Sequence, residues 1–458
     1  MSTPANIPST PIPASPETRL DLRALWAVLL GVALGGLDTA IANTALPAFA
    51  AALRTTPAAS IWIINAYQLA VVASLLPLAA LGDRVGPRRI FLGGLALFTA
   101  ASLACALADT LFLLSLARAI QGVGAAGIMS VNIALIRLIY PASRLGRGVG
   151  LNALVVGASY ALGPTIASLI LSVAPWPWLF AVNVPLGLLA IAVAWRTLPY
   201  TERHAHEFDR SAALLTAVTF AALIFAMGAA AQRQAWPLVL TPLAVSMTAG
   251  LWLLRWQARH AAPILPVDLF RRPLFALSAV TSLCSFTTQG LAFVSLPFYF
   301  EQVLHRNPVD TGFLMTPWAI VVAAVAPIAG RLSDKHHPGL LGGVGLAILS
   351  AGMVSLAMLS IDASAASIVL RMMICGLGFA LFQSPNLKAL MSSAPPERSS
   401  GASGVIAMVR LLGQTSGAAL VALCLGLGGV QGANWALGLG ALFAAFASIT
   451  SFARLKVH

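Results

Sequence analysis

The chain has 458 residues, of which 59% are hydrophobic and only 9% charged. That polar surface is far too small to cover a water-soluble domain, which excludes a soluble enzyme or binding module. A formal net charge of +13 would suggest nucleic acid as partner for a soluble protein, but in a chain whose solvent is lipid the charge must be sorted loop by loop.

Residues 1–23 are rich in Pro, Ser and Thr, the composition of a short disordered cytoplasmic tail. The apolar run that follows is too long for a signal-peptide core and carries an acid, so it reads as a retained helix. From there apolar runs of about 20 residues recur, each long enough to cross a hydrocarbon core of roughly 30 Å. Helical spans are predicted at 24–47, 59–81, 89–108, 111–135, 147–173, 178–196, 211–231, 236–256, 274–301, 309–331, 338–360, 364–391, 399–427 and 431–455. The expected fold class is therefore all-α and integral to the membrane, with fourteen crossings.

Span 1 holds the segment Leu37-Asp38-Thr39-Ala40-Ile41-Ala42-Asn43-Thr44-Ala45-Leu46-Pro47, in which Asp38 is the only acidic residue deep inside an apolar run. A charge there costs roughly 2.5 to 3.5 kcal/mol on insertion scales, so a proton or counter-charge is expected to be in use. Spans 2 and 3 are joined by Gly82-Asp83-Arg84-Val85-Gly86-Pro87-Arg88-Arg89. Span 4 carries Leu116-Ala117-Arg118-Ala119-Ile120-Gln121-Gly122-Val123-Gly124. Arg118 lies roughly 10 Å and Asp38 roughly 14 Å from the outer face at 1.5 Å per residue, about one helical turn apart in depth. Span 5 contains Ser159-Tyr160-Ala161-Leu162-Gly163-Pro164-Thr165-Ile166-Ala167-Ser168.

The second part of the chain repeats the first. Ala79-Ala80-Leu81-Gly82-Asp83-Arg84 matches Gly330-Arg331-Leu332-Ser333-Asp334-Lys335, and Arg118, Gly122, Gly124 and Asn132 return as Arg371, Gly376, Gly378 and Asn386, at an offset of about 250. Six spans occupy only about 175 residues, so some 75 are left over, which spans 7 and 8 fill. The expected domains are a tail at 1–23, a six-helix bundle at 24–196, a two-helix insertion at 197–273 and a second six-helix bundle at 274–458. Parallel six-helix repeats with a site at their midplane interface are the major facilitator architecture.

With the N-terminus inside, Arg84, Arg88, Arg89, Arg137, Arg196, Arg255, Arg331, Lys335, Lys388 and Arg454 fall on cytoplasmic connections, against Arg54, Arg233 and Arg306 outside. An even number of crossings with both termini cytoplasmic fits this asymmetry. The excess of Arg over Lys, with abundant Ala, suggests a GC-rich bacterium and hence its plasma (inner) membrane. Cys105, Cys284, Cys375 and Cys424 all lie in spans, so free thiols are expected. No His lies deep in a span, and neither metal nor cofactor is predicted.

These motifs together resemble the fourteen-span drug:proton antiporters of the major facilitator superfamily, the QacA and EmrB type, over nearly the whole chain. The resemblance implies a proton-coupling group of Asp38, Arg118 and Gln121, with burial favouring the protonated carboxyl and a lipophilic cation favouring the ionised one. A carboxyl that serves only helix packing is the alternative. It further implies a cytoplasmic gate at Gly82, Asp83, Arg84, Gly86 and Arg88, with Asp334 as the repeat's copy, and an antiporter motif at Gly163 and Pro164. Here Ala79 and Pro87 depart from the gate pattern, and Ser159 and Ala167-Ser168 replace glycines usual in span 5.

Cargo contacts are expected from Asp38 and from mid-span aromatic and amide residues, namely Tyr67, Tyr160, Gln289, Phe293, Trp318 and Asn386. Trp318 stands out because most other tryptophans fall at span ends, as an interfacial belt requires. Arg371 and Arg410 have no acidic partner legible in the sequence. The resulting expectation is a monomeric antiporter that exports amphipathic monovalent cations for one proton, electroneutrally, by alternating access. A proton symporter importing a small solute is the alternative. The chain has no P-loop and no nucleophile, base and acid constellation, so an enzyme is not expected.

Overall fold

The computed structural model describes residues 22–140, 145–200, 210–231, 234–257, 267–394 and 399–456, and among them every regular element is helical. The long helices are α1 (Leu22–Thr44), α2 (Trp62–Val85), α3 (Pro87–Ala106), α4 (Leu111–Ile139), α5 (Leu145–Val173), α6 (Asn183–Thr197) and α7 (Arg210–Ala231). They continue as α8 (Trp236–Gln257), α9 (Pro273–Phe298), α10 (Pro308–Leu332), α11 (Pro338–Ala357), α12 (Ala365–Ser393), α13 (Ser399–Gly428) and α14 (Gly432–Ala453). Thirteen helical segments among the described residues are long and apolar enough to cross a membrane; in α7 the apolar stretch Leu214–Ala230 is shorter. Outward-facing side chains such as Leu188 (58% exposed), Leu442 (67%) and Ile449 (67%) need lipid rather than water around them.

Local chemistry sets the helix ends. The spacing predicts span 1 to run to residue 47, but α1 stops at Thr44 and a short helix, Leu46–Ala52, restarts with Pro47 in its first turn. Pro47 has no N–H to give the preceding turn, and in the first turn of the new helix none is needed. Prolines likewise open α3, α9, α10 and α11, where the missing donor would be unpaired anyway. Thr110 caps α4 by accepting from the Leu113 N–H at 3.3 Å, and Asn307 caps α10 by accepting from the Asp310 N–H at 2.7 Å. Gly86 makes the α2–α3 turn at φ 96°, a conformation side chains resist. The predicted span 6 matches the apolar helical segment Trp178–Thr197, in which a short helix at Trp178–Ala181 leads through Val182 into α6 at Asn183.

Helix packing repeats with the sequence. Within α1–α6, α4 packs on α2 and α3, α1 on α5 and α6, and α3 on α6; within α9–α14 the same pairs recur eight helices later. The two sets meet along α5 against α10 and α2 against α13, and α7 lies against both α2 and α13. The repeated glycines perform the same task twice. A Cβ on Gly122 would lie 2.4 Å from the Tyr67 carbonyl oxygen, and one on Gly376 would lie 2.5 Å from the Trp318 carbonyl oxygen. Two residues on, Gly124 abuts Phe98 of α3 and Gly378 abuts Leu349 of α11, each with 2.5 Å for an added Cβ. Small residues thus let α4 and α12 touch two neighbouring backbones at once.

Candidate functional site

Five helical segments converge on Asp38, which is 1% exposed. Arg118 Nη1 donates to its Oδ2 at 2.5 Å, while Gln121 Nε2 and Asn183 Nδ2 donate to its Oδ1 at 2.9 and 3.0 Å. Three donors on two oxygens are the company an ionised carboxylate takes. Gln121 is fully used: Nε2 also donates to Ser102 Oγ at 2.8 Å, and Oε1 accepts from Arg118 Nη1 at 2.6 Å and from Cys105 Sγ at 3.6 Å. Arg118, 0% exposed, gives Nε to the Ile63 carbonyl at 3.1 Å. Its Nη2 has no hydrogen-bond acceptor, and the guanidinium lies 4.1 Å from the centre of the Tyr67 ring, a cation–π contact.

Beyond Tyr67 lies a cavity of about 1510 Å³ bounded by both halves. Gly35, Thr39, Asn43, Tyr67, Gln68 and Tyr160 line one side, and Gln289, Phe293, Trp318, Phe379, Arg410 and Gln414 the other. Its wall continues through Gly82, Pro87, Arg137 and Tyr200, so it reaches the end of the bundle that carries the basic connections. Phe293 meets Trp318 edge-on with ring centres 5.4 Å apart, and Gln414 donates to Gln289 at 2.9 Å.

The opposite end is closed where α5 crosses α10. A Cβ on Gly312 would lie 1.7 Å from Ser168 Oγ and 2.4 Å from the Pro164 carbonyl oxygen. Ser168 Oγ donates to the Pro308 carbonyl at 3.1 Å, and Thr165 and Thr316 hydroxyls pair at 2.7 Å. Gly163 turns instead to α1, where its added Cβ would lie 2.2 Å from that of Ala40. Hence the serine that departs from the expected glycine provides a hydrogen bond of the seam.

Of the residues singled out in the sequence, Asp38, Arg118 and Gln121 come together, and Tyr67, Tyr160, Gln289, Phe293 and Trp318 line the cavity. Two expectations are corrected. Asp38 is not on the cavity wall, since Tyr67 intervenes, and the described wall carries Arg137 and Arg410 but no Asp or Glu; the carboxylate meant for a cationic cargo is already occupied by Arg118. Asn386 is not on the wall either. It accepts from Arg454 Nη1 at 2.5 Å and donates to Ser282 at 2.6 Å, inside the second half.

At the basic end Gly82 packs on Val131, and Arg84 is exposed. Arg88 is buried, donating to the Trp195 carbonyl at 2.5 Å and lying 3.7 Å from the Tyr200 ring centre. Asp334 pairs with Lys388 of its own half at 2.5 Å. The Asp83 side chain lies outside the described residues. Arg371 donates to the Ser355 carbonyl, and Arg410 lines the cavity. Asn183, Ser102, Cys105 and Arg454 were not anticipated. Asn183 had a signal, being the lone amide in an apolar run before Pro185; Ser102 and Cys105 look in sequence like ordinary small helix residues.

Residues 28–418 match the family described as Major Facilitator Superfamily. The transporter YebQ of Escherichia coli K12, itself uncharacterized, is 50% identical over 434 residues, which cover 94% of this chain and 95% of YebQ. Multidrug resistance protein Stp of Mycobacterium tuberculosis CDC 1551 / Oshkosh is 31% identical over 412 residues, covering 88% of this chain and 75% of Stp. A crystal structure of a POT family transporter in complex with 5-aminolevulinic acid superposes with a TM-score of 0.72 at 15% identity, covering 96% of this chain and 98% of that one, a likeness of fold alone.

Proposed function

This chain belongs to the major facilitator superfamily, and from that premise we propose that it is a proton-driven exporter of amphipathic organic molecules. It works as a monomer by alternating access in a bacterial inner membrane, both termini cytoplasmic, with α7 completing the fourteen crossings of the QacA and EmrB type. Relatives such as Stp, a multidrug resistance protein, support export. The observation that carries the reading is a carboxylate buried at mid-span, held by an arginine whose remaining face rests on the aromatic wall of the cavity.

In this reading Asp38 is the proton site. Protonation removes the charge that holds Arg118, and leaves a buried guanidinium with Gln121, the Ile63 carbonyl and the Tyr67 ring as its partners. An unpaired buried charge is unstable by several kcal/mol on the order seen in broken ion pairs, so Arg118 moves, and Tyr67 moves with it. That displacement reaches the cavity and the α2–α13 contact, where Thr415 donates to Gln68 at 2.8 Å. The structure is thus the cytoplasm-facing member of the cycle, with the α5–α10 seam shut. The gating residues Gly82, Asp83, Arg84, Gly86, Arg88 and Asp334 then close the basic end in the opposite state.

The test uses energised inside-out vesicles with an internal pH dye and a panel of amphipathic compounds, including ethidium, comparing wild type with Asp38→Asn. Antiport predicts that at least one compound alkalinises the lumen in wild type and that none does so in Asp38→Asn. If added solute acidifies the lumen instead, symport is the mechanism and export is wrong.

A further inference from the structure

The second-half wall of the cavity holds polar groups with no partner. Trp318 is 1% exposed and lines the cavity, yet its indole Nε1 has no acceptor. Gln414, 8% exposed, spends its amide nitrogen on Gln289 and leaves Oε1 unpaired. One turn earlier on the same face of α13, Arg410 lines the cavity with a buried Nε that also has no acceptor, residues four apart being helix-face neighbours. No acid pairs with Arg410 among the described residues, and the cavity wall contains none. Among the described residues Arg118 is balanced by Asp38, whereas Arg454 and Arg371 are held inside the second half by neutral acceptors. At Arg410 no described acid supplies a balancing charge, and the residue borders the cavity.

Around these groups the wall is aromatic. Phe293 and Phe379 flank Trp318 with ring centres 5.4 and 6.4 Å away, and Tyr67 and Tyr160 face it from the first half. A guanidinium without an acid beside it, on an aromatic and partly desolvated wall, is the complement of a flat ring bearing an anionic group. A lipophilic cation would find no carboxylate there and would place its charge in a cavity with Arg410. Arg137, at the basic end of the same wall, adds attraction for anions at the mouth.

We propose that the cargo of this cavity is a planar aromatic monoanion, its carboxylate or equivalent acidic group seated on Arg410 and its ring against Trp318 and Phe293. This rests on the transport reading above and names its substrate class. The guanidinium supplies a charge-assisted bond, and the Trp318 and Phe293 rings select for a flat aromatic body.

The test is binding of three isosteres to the purified full-length protein in nanodiscs, by titration calorimetry: naphthalene-2-carboxylate, naphthalene-2-carboxamide and protonated 2-(aminomethyl)naphthalene. The carboxylate should bind at least about 10-fold more tightly than the ammonium compound, as one charged hydrogen bond gives. Arg410→Gln should abolish that preference while leaving the carboxamide within about 3-fold, and Arg410→Lys should keep it in part. Size-exclusion profiles and melting curves separate a misfolded variant from a specific loss. The proposal is overturned if the ammonium compound binds as tightly as the carboxylate, if Arg410→Gln keeps the preference, or if none of the three binds. An anion preference without proton movement in the vesicle assay would leave the binding class standing and remove proton-driven export.

Discussion

Replacing Asp38 by Asn conserves volume, so any effect reports charge and hydrogen bonding rather than a cavity. The carboxylate accepts from Arg118 on one oxygen and from Gln121 and Asn183 on the other. An amide has one oxygen, so whichever way it turns its NH₂ meets a donor. Gln121 cannot flip to compensate, because its own oxygen is held by Arg118 and its nitrogen by Ser102. The larger cost is Arg118, left charged at 0% exposure; breaking a buried pair from one side costs about 3 to 5 kcal/mol. Asp38→Asn should therefore lose roughly that much in denaturant titrations of the protein in mixed micelles, and Asp38→Asn combined with Arg118→Gln should recover about 2 kcal/mol or more of it, since both charges are then gone. Neither variant should move protons with cargo. A loss below about 1 kcal/mol for Asp38→Asn, the range of exposed pairs, would refute the idea of a desolvated ion pair. Proton movement in the double variant would show that the coupling site lies elsewhere.

Gly312→Leu forces atoms into space held by Ser168 and Pro164; strain of about 1 to 3 kcal/mol shifts the balance between closed and open seam by roughly 5- to 150-fold. A cysteine placed at Gln289 should then be labelled faster by an impermeant maleimide from the far side, and an unchanged rate would mean that the α5–α10 seam is not the closure. The Asp334–Lys388 pair is half exposed (69% and 46%), so Lys388→Ala should cost under about 1 kcal/mol, less in high salt; a loss of several kcal/mol would show that it is buried in the membrane-bound protein. If a monoanion leaves as one proton enters, two charges cross in the same electrical sense, worth about 4.6 kcal/mol per 100 mV. Transport into proteoliposomes should then respond to a valinomycin-set potential at zero pH gradient, whereas one-for-one exchange of a monovalent cation would not.

The sequence made the membrane class and most crossings plain, because a run of about 20 apolar residues has few other uses. It also paired Asp38 with Arg118, since two charges at similar depth in lipid need one another. It did not reveal Asn183 or Ser102: a small polar side chain in a helix can bond its own preceding turn, as Ser102 does with the Phe98 carbonyl at 2.8 Å, and nothing in its spacing tells that a second element also reaches it. Trp318 was separable from the interfacial tryptophans by position alone, and it is buried where Trp26, Trp195 and Trp236 are 65 to 75% exposed. Asp38 and Asn386 were misplaced as cavity residues for a shared reason. Depth along a helix is readable from residue count, but the direction a side chain faces around its axis depends on which neighbours surround the helix.

The two halves repeat their packing and not their polar chemistry, and the difference is functional on the proposed reading. At Arg118 the first half pairs its buried cation with an acid, an amide and a ring. Its repeat counterpart Arg371 donates to the Ser355 carbonyl, and the second half instead brings Arg410, with no acid beside it among the described residues, to the cavity wall. A proton can therefore be sensed without touching cargo, and cargo can be held without consuming the carboxylate. What joins them is backbone contact at matched positions: Tyr67 abuts Gly122 on the proton side, and Trp318 abuts Gly376 on the cargo side. Because the same small-residue joint sits behind each aromatic wall, a shift of either wall moves a whole helix, and a helix that moves opens or closes the interface between the halves.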